Sequence, residues 1–401
     1  MPREAFNHLS RAYWKLKSYA RRGLRFVTVG ILYPAVYFFY SRGPVNKEKV
    51  IFAEVRMETI SDSLMLLHQA MERKGFVLHD HFLRSGFSGG LRYIKGCLFY
   101  IKDIADAKYI FINDSINILG RLKLREETKM VQTWHGCGAF KKFGYSTGDL
   151  LFGAGKKEIH CYPTSNNYSF VTVSSPEVVW AYQEAMGIPK DRILPLGVSR
   201  TDVFFDAGFL RQARGRVKEK FPETEGKKVI LYAPTFRGRV ASAKAPDRLS
   251  VPLFYEAFSK EYVLLIKHHP FVKHRPEVPK QYRTFAIDVS GQMDIEALLC
   301  VSDLCITDYS SLIFEYSLFE RPMIFFAYDR EDYCDWRGFY YDYDELTPGP
   351  VCRTNEELIE YIKNLEERFD RRQVVKFREK FMGACDGKAT GRILDYLFAI
   401  K

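Results

Sequence analysis

Beyond residue 45, short apolar or β-branched runs alternate with longer segments of helical periodicity. The runs predict strands over 50–55, 109–113, 130–134, 170–173, 229–233, 262–267, 303–307 and 323–327. Between them, helical spacing covers 61–74, 176–186, 206–220, 294–301 and 311–319. Strands alternating with helices predict an α/β fold with doubly wound parallel sheets. A chain of 401 residues is too long for one such core, so two sheets are expected. The polar stretch "ARGRVKEKFPETEGKK" precedes a fresh strand and marks the boundary. Rossmann-like domains are therefore expected over 46–205 and 206–380, with ligands at a cleft between their strand C-terminal ends and a C-terminal helix over 381–401 packing back on the first domain.

The first 45 residues break this pattern. The run "FVTVGILYPAVYFFY" over 26–40 carries no charge, and before it Arg3, Arg11, Lys15, Lys17, Arg21, Arg22 and Arg25 stand against Glu4 alone. The uncharged run is shorter than the roughly 20 residues of a spanning helix, and it contains Pro34. No small-residue cleavage site follows it. Basic residues followed by an aromatic-rich apolar run predict a segment, 1–45, that lies in a membrane interface at the cytoplasmic face.

Charge and cysteine usage narrow the picture only partly. Lys and Arg number 60 against 49 Asp and Glu, a formal charge of +11, which suits nucleic acid, an anionic membrane or a phosphorylated substrate. The eight cysteines show neither C-x-x-C nor metal-type Cys/His spacing, and they read as reduced thiols in a cytosolic chain. No metal and no cofactor is expected.

Ligands of open α/β sheets collect at strand C-terminal ends, and four such ends carry candidate chemistry. The strand over 130–134 runs into "HGCGAFKKFG", where His135 can take a proton near neutral pH and Lys141 and Lys142 can neutralise phosphate. The strand over 229–233 ends in "PTFRGR", with Thr235, Arg237 and Arg239 at its mouth, read either as phosphate ligands or as a solvated loop. The strand over 262–267 ends in "HHP". Alternation turns one of His268 and His269 toward the core and the other toward ligand, which argues against a zinc pair. The fourth end is "ITDYSSLIFEY". There Thr307, Ser310 and Ser311 meet a helix N-terminus, an anion site with Asp308 as cap or loop orienter. Glu315, one turn on, reads as a ribose ligand or a helix-surface acid.

Seven pieces occur in one order: "VQTWHGCGAFKKFG", "LGVSRTD", "ILYAPTFRG", "LLIKHHP", "CITDYSSLIFEY", "RPMIFFAYD" and "RGFYYD". Together they resemble the CDP-glycerol glycerophosphotransferase family, the teichoic acid primases and polymerases of Gram-positive cell walls, and most of all its short primase-like members. The resemblance implies a GT-B fold and metal-independent transfer of an alditol phosphate from a CDP-alditol donor to a lipid-linked, undecaprenyl-type acceptor, with CMP released. Glycerol phosphate is the first expectation and ribitol phosphate the alternative. By the same resemblance His135 is the base and His269 holds the pyrophosphate. Thr235, Arg237, Ser310 and Ser311 form the phosphate cradle, and Glu315 faces the ribose. Thr307, Asp308, Lys141, Lys142 and Arg200 complete the expected substrate contacts. Cys137 and Gly138 depart from the residues usual after the W-H-G motif, and Ser199 replaces a proline while Arg200 and Asp202 are kept. Peripheral attachment to the cell membrane is expected, with no nucleic-acid partner. Two other readings are a GT-B nucleotide-sugar glycosyltransferase and a basic membrane or nucleic-acid binding protein without catalysis.

Overall fold

A computed structural model describes residues 16–17, 19–84, 90–148, 150, 161–331, 333 and 338–400. The apolar runs form two six-stranded parallel sheets. The first contains β1 (Asn46–Glu54), β2 (Val77–Phe82), β3 (Ala107–Ile112), β4 (Lys129–Gln132), β5 (Phe170–Thr172) and β6 (Ile193–Leu194), in the order β2-β1-β3-β4-β5-β6. The second contains β7 (Lys228–Tyr232), β8 (Tyr262–Ile266), β9 (Ala286–Asp288), β10 (Leu304–Thr307), β11 (Met323–Phe326) and β12 (Val351–Cys352), in the order β12-β11-β10-β7-β8-β9. All eight expected strands are present. The other four, β2, β6, β9 and β12, escaped the sequence pattern. In "VLHDHF" of β2, polar His and Asp side chains interrupt the apolar run, and β6, β9 and β12 are only two or three residues long.

Among the described residues the α-helices of more than four residues are α1 (Tyr19–Tyr40), α2 (Asp62–Arg73), α3 (Gly90–Ile104), α4 (Val179–Met186), α5 (Ala207–Lys220), α6 (Val251–Phe258), α7 (Ile295–Val301), α8 (Leu312–Ser317), α9 (Asn355–Lys363), α10 (Arg371–Met382) and α11 (Ala389–Ala399). Helix α1 contains a π-helical turn at Thr28–Leu32. With 22 residues, it is by length and composition long enough and apolar enough to cross a membrane, because it extends N-terminally through Arg25, Arg22 and Arg21. Helix α8 is shorter than the expected 311–319. Its last residues tighten into i→i−3 bonds, Leu318 to Glu315, Phe319 to Tyr316 and Glu320 to Ser317, and Glu320 takes a left-handed φ of 54°. Arg3, Arg11, Lys15 and Cys334 lie outside the described residues. The seven described cysteines are free.

The chain divides into two compact units, one of Met1–His135, Lys156–Val171 and Tyr396–Lys401, the other of Gly136–Gly155 and Thr172–Asp395. In the first, the Phe52 and Phe111 rings stack at 5.0 Å, and Phe398 from the end of α11 stacks on Phe76 at 5.9 Å. In the second, Ile230, Phe254, Leu264, Phe285, Leu304 and Ile324 pack into one core, each almost wholly buried. Each such side chain contributes roughly 1.5–3 kcal/mol. Central strands covered on both faces explain why their sequences read as continuous apolar runs rather than alternating ones.

Candidate active site

The first unit supplies one of the candidate histidines. Beyond β4 the chain turns through Trp134, a non-glycine residue with a φ of +56°. Such a conformation costs on the order of 1–3 kcal/mol and persists only where the surroundings impose it. Here the Trp134 N–H donates to Gln132 Oε1 at 2.9 Å, and the Gln132 amide is itself buried, donating to the Asp114 carbonyl at 3.2 Å. The turn delivers His135, whose Nδ1 lies 2.9 Å from the Asn113 carbonyl oxygen. A carbonyl can only accept, so Nδ1 carries the hydrogen and Nε2 is the basic nitrogen of the ring. Asn113 is held in turn: its side-chain amide donates to Glu54 Oε2 at 2.9 Å and to Ser61 Oγ at 2.8 Å. The ends of β1, β3 and β4 thus fix one imidazole in one tautomer.

The residues that follow belong to the second unit. Gly138 has a φ of +61°, and a Cβ there would sit 2.3 Å from the Phe314 ring of α8, so no other residue fits. Its N–H donates to Ser174 Oγ at 3.0 Å. That packing accounts for glycine at one of the three positions where the chain departs from the family pattern. Cys137 beside it is buried, and burial pushes its thiol well above the usual range. Lys141 pairs with Phe339 in an antiparallel bridge, and the Lys142 N–H donates to the Gly338 carbonyl at 3.1 Å. The Lys141 ammonium lies 5.2 Å above the Tyr333 ring.

Arg237 is engaged by protein groups at the strand ends. Its Nε and Nη2 grip Asp329 bidentately at 2.5 and 3.0 Å. Its Nη1 reaches Asp308 Oδ2 at 2.9 Å and the Thr235 carbonyl at 2.9 Å. Burial opposes the guanidinium charge, but Asp308 and Asp329 outweigh it and raise the pKa above the ordinary range. Nearly all its donors are committed to protein carboxylates and carbonyls, so it braces the strand ends. The rings of Tyr309, Tyr328 and Tyr333 stand 5.3, 5.7 and 5.1 Å from it.

Asp308 caps no helix. Its Oδ1 accepts from the Thr235 N–H at 2.8 Å and the Tyr309 N–H at 2.7 Å, tying the end of β10 to the end of β7. Thr307 adds a stitch, its hydroxyl donating to the Ala233 carbonyl at 2.7 Å. The N-cap of α8 is Ser311, without a side-chain capping bond, and Ser310 Oγ accepts from the Leu312 N–H at 3.4 Å. Ser310 is half-buried and Ser311 exposed, whereas Thr307 and Asp308 are buried.

Glu315 lies inside the fold, not on a helix surface. It is 3% exposed and pairs through Oε1 with Arg200, whose other end lies 3.7 Å from Glu296. Its second oxygen, Oε2, is buried without a hydrogen-bond partner. Asp202, five residues after the glycine of "GVSRTD", accepts from the Ala389 and Thr390 N–H groups at 3.0 and 2.8 Å and so holds the start of α11.

The two adjacent histidines separate as alternation requires. His268 is buried with its N–H on Ser290 Oγ at 2.7 Å, and burial lowers its pKa. His269 lies between the rings of Phe236 and Phe271, at 4.9 and 4.6 Å. Its Nδ1 accepts from the Phe271 N–H at 3.2 Å, which puts the neutral ring's hydrogen on Nε2. Nε2 of neutral His269 therefore carries the hydrogen, whereas Nε2 of neutral His135 carries the lone pair.

Several residues of this arrangement were not singled out from the sequence: Trp134, Asn113 and Glu54 behind His135, and Tyr309 and Asp329 around Arg237. A signal existed for two of them, since Asn113 and Asp329 close "YIFIN" and "MIFFAYD" as polar residues just beyond strand ends.

A family model described as CDP-Glycerol:Poly(glycerophosphate) glycerophosphotransferase matches residues 35–399. The chain is similar to a teichoic acid poly(ribitol-phosphate) polymerase of Bacillus spizizenii, 36% identical over 88% of this chain and 56% of that protein. The chain thus spans about half the length of that relative. It is also similar to a teichoic acid ribitol-phosphate primase of the same organism, 32% identical over 88% of this chain and 92% of that protein. Among solved structures, the wall teichoic acid polymerase TagF superposes with a TM-score of 0.76 at 23% identity, covering 94% of this chain and 96% of that one. That likeness shows the fold, two parallel α/β sheets of the GT-B kind.

Proposed function

The chain belongs to the CDP-glycerol:poly(glycerophosphate) glycerophosphotransferase family, and on that premise we propose that it transfers an alditol phosphate from a CDP-alditol to an acceptor hydroxyl in teichoic acid synthesis. The observation that carries the chemistry is the tautomer of His135, whose Nδ1–H is held by the Asn113 carbonyl at 2.9 Å. Nε2 takes the proton of the acceptor hydroxyl as its oxygen bonds to the β-phosphorus of the donor. The bond from that phosphorus to the bridging oxygen breaks, and CMP leaves with the electron pair. His269 donates Nε2–H to the pyrophosphate, where it stabilises charge that grows in the transition state. Ser310 and Ser311 add hydroxyl donors after β10, Thr235 adds another after the neighbouring β7, and Lys141 and Lys142 supply positive charge. Arg200 holds Glu315 so that its unpartnered Oε2 can accept from a ribose hydroxyl. Arg237, Asp308 and Thr307 act by positioning this group.

In this reading, 46–205 is the acceptor domain, 206–380 the nucleotide-donor domain, and 381–401 a closing helix. The acceptor is lipid-linked, and α1 keeps the enzyme peripheral on the cytoplasmic face of the cell membrane. The family description names glycerol, but both relatives above are ribitol-phosphate enzymes, which favours ribitol as the alditol. The test is CMP release by the purified chain with a lipid-linked acceptor and, separately, CDP-ribitol, CDP-glycerol and a sugar nucleotide. CMP is expected from an alditol donor, with CDP-ribitol the faster. Turnover confined to the sugar nucleotide contradicts the proposal.

A further inference from the structure

Directly after α1, the chain enters a cavity of about 590 Å³ in the first unit, lined among others by Arg42, Pro44, Lys47, Lys108, Arg125 and Glu127. Among the described residues none of these four cations pairs with a carboxylate. The Arg125 guanidinium donates to the carbonyls of Gly43, at 2.9 Å, and Ala105. The Lys108 ammonium donates to the Glu127 carbonyl at 3.1 Å, and Arg42 lies 4.7 Å above the Phe38 ring. Carbonyls and a ring orient Arg42, Lys108 and Arg125 without neutralising them, so with Lys47 four positive charges face one carboxylate around an open cavity.

The surface that leads into the cavity is apolar. On α1, Phe26, Val27, Ile31, Phe38 and Phe39 are each more than half exposed, and on α3, Leu91 and Phe99 are 77% and 62% exposed. The two helices belong together, because the buried Tyr33 hydroxyl of α1 meets the Cys97 thiol of α3. Large rings and aliphatic side chains at this exposure, ending in a cluster of cations, match the layering of a bilayer interface: acyl chains, then phosphates.

We propose that this cavity seats the phosphate headgroup of an anionic glycerophospholipid while α1 lies in the membrane interface. The proposal rests on the membrane part of the functional reading and adds a specific headgroup site to it. Four cations select for negatively charged lipid, so the helix provides partition into any bilayer and the cavity provides the preference among bilayers.

The experiment uses the full chain and its Lys47→Glu/Lys108→Glu variant in flotation with vesicles of phosphatidylcholine alone or with phosphatidylglycerol added. Two cations lost from a membrane surface predict about 25-fold weaker binding to the anionic vesicles, and more once their sign is reversed. Binding to phosphatidylcholine vesicles should match the wild type, which also shows that the variant is folded. Soluble glycerol phosphate, added to equal total phosphate, should leave wild-type flotation in place. Transfer to a water-soluble acceptor should stay at the wild-type level, which separates this site from the catalytic proposal. The inference is overturned if the variant floats with phosphatidylglycerol vesicles as tightly as the wild type. It is also overturned if glycerol phosphate displaces the wild type, because the cavity would then be a site for free phosphate.

Discussion

His135 and His269 both follow a strand and both sit at the C-terminal end of a parallel sheet, yet the backbone presents to them opposite faces of the peptide group. A carbonyl, that of Asn113, meets Nδ1 of His135; an N–H, that of Phe271, meets Nδ1 of His269. One contact leaves Nε2 as a base and the other leaves it as a donor. The same side chain after a strand in each sheet thus takes opposite tautomers, and a single backbone partner at each decides which. The environments differ accordingly. His135 hangs on a polar relay of Asn113, Glu54 and Ser61, whereas His269 is wedged between two phenyl rings.

The largest effect expected from disturbing either side is at Arg237. Arg237→Met leaves buried Asp308 and partly buried Asp329 without their shared cation, which predicts a loss of about 4 kcal/mol in denaturant unfolding and no measurable transfer. If the variant unfolds like the wild type, the brace at the second site is not structural. Next is His269. His269→Ala should lower kcat/KM by about 100- to 1,000-fold, and His269→Gln, which restores an N–H donor, should recover part of it. Recovery is not expected for His135→Gln, since an amide is no base, and equal behaviour of the two glutamine variants would erase the distinction between the histidines.

A smaller effect is pH-dependent. His268 is held neutral in the fold with its pKa below the unfolded value of about 6.5, so the unfolded chain binds more protons once the pH drops under that value. Stability contributed by the neutral ring is whole above pH ~6.5 and declines as pH falls toward the lowered folded pKa. Thermal melts should show this decline as the pH falls below ~6.5, and His268→Gln should flatten it. The mildest change is Tyr309→Phe, which removes the 3.0 Å bond from the hydroxyl to Asp329. It should cost about 1 kcal/mol and leave transfer within about threefold of wild type, by activity assay and denaturant titration.

The contrast between the histidines was half visible in the sequence. Buried parallel strands announce themselves as apolar runs, and the residues that follow each run face the ligand end of the sheet, so His135, His269, Ser310 and Ser311 are legible in the sequence. Their roles depend on contacts that no local pattern carries. Asp329 lies 92 residues from Arg237, and nothing in "PTFRGR" shows that the guanidinium is already spent. Glu315 looks like a helix-surface acid until Arg200, 115 residues earlier, is found against it. Strand β2 was hidden for a different reason. Its His79 and His81 are turned to Asp103, at 2.9 and 2.7 Å, with Lys49 on the other oxygen at 2.6 Å, so an edge strand is held by charge where the pattern expects apolar side chains.

The account stands most directly on His135 as the base. The decisive measurement is single-turnover transfer by His135→Ala beside equilibrium binding of the CDP-alditol to the same variant. The account predicts a rate about 100- to 10,000-fold lower with donor affinity within a few-fold of wild type. A variant that transfers at near the wild-type rate, or that loses donor binding in proportion to rate, would contradict it.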